Sequence, residues 1–209
     1  ALVVGDLPYL TYHTTPEEAV RNAARFVVEG GCRAVKLEGG SQRLPVIKAI
    51  LAAEIPVMGH LGLTPQSVHA LGGFKVQGRR ATEARRLLDE AKKLADAGVF
   101  ALVLECVPGE LAARITEAIP IPTIGIGAGA GCDGQVLVLH DLVGLAAPGA
   151  RVPRFVRRYA EVGAVIRDAA AAYVADVRSG AFPSEAESFA AEPGEAPPVA
   201  LYAAGEGRR

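Results

Sequence analysis

The sequence has no surplus of charge of either sign, since 22 basic and 23 acidic residues leave a net charge of −1. A nucleic-acid-binding face requires a basic patch or stripe, and the basic residues form only short clusters such as Arg79-Arg80 and Arg85-Arg86. Long apolar runs are missing as well, because none approaches the roughly 18 residues of a membrane-spanning helix. We therefore expect neither nucleic acid nor a membrane as a partner.

Cysteine is also scarce. The three cysteines, Cys32, Cys106 and Cys132, are an odd number without the spacing of metal ligands, which indicates a reducing, cytoplasmic setting. We recognise no secretory signal peptide. The chain has no initiating methionine, so we expect it to begin partway into a longer gene product.

What the sequence does contain is a set of short apolar runs that end on reactive side chains. The first run ends at Asp6, the second carries Lys36 and ends at Glu38, and two later runs end at His60 and Glu105. Stretches with helical patterning separate most of these runs, as in a parallel βα protein. Because the carboxyl ends of parallel strands meet on one face, we expect these five side chains to share one pocket.

Six strands are predicted within residues 1–189, and they alternate with helices. They are near-continuous apolar runs, which is typical of strands buried on both faces. A closed (β/α)₈ barrel needs eight strands and typically about 250 residues. The chain is therefore either a smaller open sheet or a barrel whose first two βα units are missing, and the absent methionine favours the second. Residues 190–209, rich in Pro, Gly, Glu and Ala, are interpreted as a tail.

Four local patterns predict particular elements. A capping box from Thr15 to Glu18, with proline at the first helical position, predicts a helix that runs to about residue 29. Pro153–Arg178 predicts one long helix, and Gln135–Leu139 predicts a strand. Residues 61–78 predict a long loop without obvious structure, which is often functional.

Asp6 and Glu38 suggest a hard divalent cation, because Mg²⁺ prefers one or two carboxylates with waters and substrate oxygens. Zn²⁺ is not expected, since the four histidines and three cysteines are scattered without ligand spacing. Structural alternatives stay open for these positions. Asp6 could cap a turn, and Lys36 with Glu38, on the same side of one strand, could form a structural ion pair.

Glu105 ends the most apolar strand of the chain, which favours a partly desolvated general base. The neighbouring Cys106 is interpreted as a small buried side chain rather than a nucleophile. His60 is either a pocket residue or a structural histidine with satisfied hydrogen bonds. The stretch Gly125–Ala130 matches a dinucleotide fingerprint in its letters, but a predicted strand follows where the fingerprint needs a helix, so no dinucleotide is expected.

Several longer motifs occur in order along roughly residues 1–189. They are Gly5–Tyr9, Val35–Gly40, Gly59–Gln66, Gly72–Gly78, Leu104–Pro108, Ile124–Gly129, Asp133–Gln135 and His140-Asp141. Through these motifs the chain resembles the 3-methyl-2-oxobutanoate (ketopantoate) hydroxymethyltransferase family. The motifs are long and specific, so coincidence does not account for the resemblance.

The resemblance implies a (β/α)₈ TIM barrel and a Mg²⁺-dependent homo-oligomer, a decamer in the family. It also implies transfer of a hydroxymethyl group from 5,10-methylenetetrahydrofolate to 3-methyl-2-oxobutanoate through a Mg²⁺-stabilised enolate. The product would be 2-dehydropantoate, in pantothenate and coenzyme A biosynthesis. The motifs place Asp6 as metal ligand and substrate contact, Glu38 in the metal site, Lys36 on the keto acid, His60 in the substrate pocket and Glu105 as proton acceptor.

One family motif has no counterpart in this chain. It is a Val-Gly-Asp-Ser motif on an earlier strand, which supplies a further metal-ligating aspartate. Gly5-Asp6 has a similar beginning, but Leu-Pro-Tyr follows it and assigns it to the later motif. Two alternatives are therefore kept: a non-catalytic truncated barrel subunit, and a related Mg²⁺-dependent carbon–carbon lyase that acts on a keto acid without folate.

Overall fold

Six parallel strands form one sheet in the computed structural model, which describes residues 1–147, 149 and 152–190. The strands follow one another across the sheet in chain order, from one edge to the other. They are β1 (Val4–Asp6), β2 (Ala34–Lys36), β3 (Val57–Gly62), β4 (Ala101–Glu105), β5 (Thr123–Ile126) and β6 (Gly134–Gln135).

Helices connect the first five strands and follow the sixth. Short 3₁₀ turns at Ser41–Arg43, Pro65–Ser67 and Glu185–Glu187 supplement them. The helices are α1 (Pro16–Val28), α2 (Leu44–Ala52), α3 (Val68–Leu71), α4 (Ala81–Asp96), α5 (Gly109–Ala118), α6 (Leu139–Leu142) and α7 (Val162–Ser179).

The two faces of the sheet have different coverings. The larger apolar core joins strand residues such as Val35, Leu37 and Leu102 to buried side chains of α1, α2, α4 and α5. The opposite face carries a smaller apolar cluster around Met58 and Val103, whose neighbours come from the strands and the residue before β4. Strands in chain order with these helices on one face form the arrangement of a barrel wall, whereas a doubly wound sheet reverses its strand order.

The predicted α/β class is therefore confirmed, and the sheet curls as part of a barrel does. The described residues form six strands with open edges at β1 and β6, rather than a closed barrel of eight. The two further βα units of the (β/α)₈ expectation stay a prediction.

The start of α1 follows from local chemistry, and half of the predicted capping box forms, since the Glu18 carboxylate bonds to the Thr14 hydroxyl rather than to the Thr15 N–H. The Oγ1 atom of Thr15 accepts the backbone N–H of Glu18 at 3.2 Å, and Pro16 occupies the first turn. Proline suits this position because the first-turn N–H groups have no partner within the helix. The capping geometry therefore fixes where the chain enters α1 after the long loop that follows β1.

The predicted long helix from Pro153 is wrong in its first part, because α7 begins only at Val162. Phe155 packs against Gly127 so closely that a Cβ at Gly127 would lie 2.7 Å from the ring. The N–H groups of Tyr159 and Val162 donate to the carbonyl oxygens of Leu142 and Val143, at 2.8 and 2.9 Å. These contacts hold the residues before α7 against other parts of the chain, so the helix begins only after them.

Two shorter predictions are also corrected. The predicted strand Gln135–Leu139 is reduced to β6, and Leu139 instead begins α6. Within the described residues β6 pairs with a strand on one side only, so few backbone hydrogen bonds are present to lengthen it. The first two residues of the predicted loop 61–78 belong to β3. The rest contains a 3₁₀ turn and the short helix α3, which is followed by Gly72 with a left-handed φ of 68°.

Two further expectations concern the ends of the chain and the membrane. Within the described residues, no helix combines the length and apolarity that a bilayer crossing requires. The predicted tail 190–209 lies outside the described residues, apart from Ala190.

Candidate active site

The structure places all five predicted side chains at the carboxyl ends of adjacent strands. Asp6 ends β1, Lys36 ends β2, and Glu38 lies two residues beyond it. His60 lies in β3, and Glu105 is the last residue of β4. The four strands are direct neighbours in the sheet, so side chains far apart in sequence come together.

The strand register decides which face these side chains occupy. Asp6 is opposite Lys36, Lys36 is opposite Met58, and His60 is opposite Val103. Met58 and Val103 belong to the cluster on the face away from the helices. Because side chains alternate along a strand, the polar groups form the next layer on that same face, nearer the strand ends.

Four of the five side chains form a continuous series of polar contacts. The Lys36 Nζ atom lies 2.7 Å from Asp6 Oδ1 and 3.3 Å from His60 Nδ1. On the other side of the ring, His60 Nε2 lies 3.2 Å from Glu105 Oε2. The Asp6 side chain is 53% exposed, whereas that of His60 is 5% exposed, so the series runs from the site's open side into a buried one.

The contacts of His60 fix which ring nitrogen carries hydrogen. The ammonium group of Lys36 has donors only, so His60 Nδ1 accepts from it. The remaining hydrogen then lies on Nε2, which donates to the carbonyl oxygen of Leu63 at 3.0 Å and faces Glu105. In this tautomer the Leu63 carbonyl oxygen takes the His60 N–H, and the same edge of the ring lies 3.2 Å from Glu105 Oε2.

Glu38 is held in a buried position beside this series. Its Oε2 atom accepts the backbone N–H of Gln66 at 3.0 Å, and its Oε1 atom lies 4.0 Å from His60 Nδ1. Burial raises the pKa of Glu38, although the neighbouring His60, the Gln66 N–H and the Lys36 charge oppose that rise. A positive charge close to a buried carboxylate stabilises its ionised form.

Tyr12 and Gln66 surround Glu38 and were not among the predicted site residues. The Tyr12 hydroxyl donates to Gln66 Oε1 at 2.7 Å and accepts the backbone N–H of Glu38 at 3.3 Å. Burial raises the pKa of Tyr12 to about 12, so the phenol keeps its proton at neutral pH. Gln66 ends one of the motifs quoted above, whereas Tyr12 lies just beyond another and had no such signal.

Glu90 of α4 reaches the loop that carries Glu38. Its Oε2 atom accepts the backbone N–H of Ser41. Gly40 leaves room for this contact, because a Cβ there would overlap the Glu90 carboxylate. No sequence pattern connects Glu90 with the site, since it lies mid-helix among other charged residues.

Cys106 follows Glu105 and carries no reactive thiolate. Burial and the neighbouring Glu105 carboxylate raise its pKa to about 11, so the thiol is protonated at neutral pH. A protonated thiol is a weak nucleophile. The geometry therefore agrees with the interpretation of Cys106 as a packing residue.

Asp6 and Glu38 fit a magnesium ion as a partial ligand set. Two carboxylates leave the remaining positions to water and substrate oxygens, as Mg²⁺ prefers. The three carboxylates of the site outnumber its cationic groups, an excess of negative charge that a divalent cation would offset. The described residues contain no group of three or more His, Cys, Asp or Glu side chains placed to hold a metal, so substrate or further chain would complete the shell.

A curled parallel sheet, backed by helices and carrying reactive groups at its carboxyl edge, defines the (β/α)-barrel class of enzymes. A sequence model of the ketopantoate hydroxymethyltransferase family matches residues 1–185. The chain belongs to that family, as the motifs indicated.

Individual relatives agree with this assignment. The chain is 57% identical over 189 residues to 3-methyl-2-oxobutanoate hydroxymethyltransferase of Syntrophomonas wolfei subsp. wolfei, a match that covers 90% of the chain and 68% of the relative. It is 60% identical over 190 residues to the protein of that name from Methylobacterium sp. (strain 4-46), covering 91% and 65%. The chain thus spans about two thirds of the length of these relatives.

Solved structures resemble the chain more distantly. A crystal structure of phosphonopyruvate hydrolase has a TM-score of 0.47 and 13% identity, covering 88% of this chain and 66% of that one. A likeness of this size adds nothing to the family assignment.

Proposed function

We propose that the protein transfers a hydroxymethyl group from 5,10-methylenetetrahydrofolate to 3-methyl-2-oxobutanoate, giving 2-dehydropantoate. The observation that carries the proposal is the contact series from Asp6 through Lys36 and His60 to Glu105. It combines a cation for a substrate carboxylate with an oriented carboxylate base. The family membership supplies the substrate and the one-carbon donor, and it implies a cytoplasmic homo-oligomer, a decamer.

Each side chain has a defined task in this reaction. Lys36 binds the carboxylate of the keto acid and holds its reactive carbon towards Glu105. Glu105 accepts the proton from the carbon next to the keto group, and the His60 ring, which is fixed by the Leu63 carbonyl, lies against the accepting carboxylate. Water releases the one-carbon unit at the oxidation level of formaldehyde, as both of its bonds to folate nitrogens break and tetrahydrofolate leaves. The deprotonated carbon of the keto acid adds to this unit, and its oxygen takes a proton and becomes the new hydroxyl.

Asp6 and Glu38 would hold a magnesium ion in this site. The ion would supply positive charge beside the keto oxygen, where negative charge develops as the proton leaves. The excess of negative charge in the site supports this assignment. Chelation by EDTA should therefore abolish turnover, and added Mg²⁺ should restore it.

Proton removal can be tested without the folate. In D₂O with Mg²⁺, the wild-type protein should exchange the proton on carbon 3 of 3-methyl-2-oxobutanoate, as followed by proton NMR. Glu105→Gln should abolish this exchange while calorimetry shows little loss of keto-acid binding. Glu110→Gln is the matched control, because Glu110 is exposed in the first turn of α5. Exchange that survives in Glu105→Gln would show that another group is the base.

Two alternative functions give different outcomes. A carbon–carbon lyase would use the same carbon acid chemistry without consuming methylenetetrahydrofolate, so folate consumption separates the two enzymes. A non-catalytic subunit would show no exchange at all. The intact mass of the purified protein bears on the second alternative: a value several kDa above 21.6 kDa would mean that the first strands exist, whereas 21.6 kDa would support truncation.

A further inference from the structure

One hydrogen-bonded group links the loops that follow β1, β2 and β3. Tyr12 belongs to the first loop, Glu38 to the second and Gln66 to the third. The Tyr12 hydroxyl bonds to both of the others, and the Gln66 side-chain Nε2 donates to the carbonyl oxygen of Leu7 at 2.9 Å. The Gln66 backbone N–H closes the circuit on Glu38 Oε2.

The direction of each bond in this circuit is determined by its neighbours. The Glu38 N–H can only donate, so the Tyr12 oxygen accepts it and sends its own proton to Gln66 Oε1. The same orientation of the Gln66 amide presents Nε2 to the Leu7 carbonyl. A flipped amide would place two acceptors, Gln66 Oε1 and Leu7 O, against each other. The circuit therefore has one arrangement, which fixes Gln66 relative to the Glu38 backbone.

This arrangement fixes one of the two oxygen atoms of the Glu38 carboxylate. Its Oε2 atom is fixed by Gln66, and Oε1 is turned towards His60 on the reactive side. Tyr12 is fully buried and Glu38 is 5% exposed, so water does not compete with these bonds. Carboxylates that bind metals are commonly held by such a second layer of hydrogen bonds.

We propose that Tyr12 and Gln66 are positioning residues, which set the Glu38 carboxylate for a divalent cation. The proposal rests on the proposed function, because it takes Glu38 as a ligand. Loss of either side chain would let the carboxylate rotate away from the geometry that Asp6 and the substrate complete. Cation affinity should then fall although both ligands are still present.

The first test measures cation binding directly. Mn²⁺ is a suitable probe, since it shares the oxygen ligands of Mg²⁺, and its free concentration can be followed by electron paramagnetic resonance. Tyr12→Phe should raise the Mn²⁺ Kd by about tenfold, the lower end of the range for such second-layer changes. Tyr173→Phe is the matched control, because Tyr173 is 57% exposed on α7 and far from the site in sequence, and it should bind as wild type does.

A double-mutant cycle tests whether the two residues act together. Gln66→Ala should weaken Mn²⁺ binding to a similar extent, and it provides the same information if Tyr12→Phe does not fold. Because the two side chains form one circuit, the double variant should lose about tenfold rather than the roughly hundredfold of independent effects. Kinetically, both variants should need more Mg²⁺ for half-maximal rate while approaching the wild-type rate at saturating Mg²⁺.

Three outcomes separate the proposal from the function on which it rests. Variants that melt at a lower temperature but bind Mn²⁺ as wild type does would show a purely structural role and overturn the proposal alone. A roughly hundredfold loss in the double variant would refute the shared circuit. Wild-type protein that binds no Mn²⁺ would overturn both this proposal and the magnesium site of the proposed function.

Discussion

The substitution Gly62→Ala should both strain the backbone and disturb the site, and a comparison with a second glycine separates the two effects. Gly62 ends β3 opposite Glu105 and has φ +95°, a conformation that side chains rarely adopt. A Cβ there would overlap the backbone oxygen of Glu105 and lie 2.8 Å from Val107 Cγ1. The same oxygen accepts the N–H of Leu63 at 2.8 Å, so Gly62→Ala threatens that bond as well.

Gly98 provides a control with nearly the same backbone. Its φ is +98°, and the nearest atom to a Cβ would be Leu51 Cδ1 at 3.6 Å, an ordinary contact. Gly98→Ala should therefore cost the backbone strain alone, about 1–3 kcal/mol. Gly62→Ala should cost that strain plus about 1–3 kcal/mol for overlap and about 1 kcal/mol for the lost hydrogen bond. The free energies of unfolding of the two variants should thus differ by about 2–4 kcal/mol.

Urea unfolding followed by circular dichroism measures this difference, at fixed protein and Mg²⁺ concentrations. The slope of the free energy with urea should stay constant, so that the midpoint reports stability. Gly62→Ala should also slow proton exchange from the keto acid, since it displaces the end of β4 that carries Glu105. Equal destabilisation of the two variants, or full exchange in Gly62→Ala, would refute the reasoning.

Three further predictions concern the neighbourhood of Glu38 and Glu105. Because burial raises the pKa of Glu38, the folded state loses stability as the pH rises above 4.5 through that raised pKa. Glu38→Gln in EDTA should remove this loss, so that the variant gains stability relative to wild type between pH 5 and pH 8, as urea titrations at the two pH values would show, while Mn²⁺ binding disappears. Gly40→Ala should displace Glu90 and the loop that carries Glu38, which would weaken Mn²⁺ binding severalfold in the same resonance assay. Cys106, with its pKa of about 11, should react with iodoacetamide about 100-fold more slowly at pH 7.5 than an ordinary thiol, as peptide mass spectrometry would show.

The residues at the strand ends could be predicted from the sequence because two simple rules apply to them. An apolar run of four or five residues predicts a buried strand, and the parallel βα pattern directs every strand end to one face. These rules placed Asp6, Lys36, His60 and Glu105 at one edge of the sheet, where the structure has them. The start of α1 was equally local, since Thr15 and Glu18 lie within one turn.

The groups that orient these residues were not readable in this way. Tyr12 and Gln66 are 54 residues apart, and Glu90 contacts a backbone N–H 49 residues before it. Such contacts depend on how loops and helices pack, and no periodicity records them. The beginning of α7 was misjudged for the same reason, because packing of Phe155 against Gly127 displaces a segment whose own sequence permits a helix.

The donors of Lys36 leave one position for the proposed keto acid while its existing contacts stay in place. An ammonium group has three N–H donors, and in the described part of the chain two of them are directed at Asp6 and His60. A substrate carboxylate would take the third, so the contact that fixes the His60 tautomer would persist when substrate binds. His60 would then stay beside Glu105 during the proposed proton transfer. The surroundings of Glu105, the proposed base, are therefore set by the protein before a substrate arrives, which is the condition under which a positioned carboxylate accelerates removal of a proton from carbon.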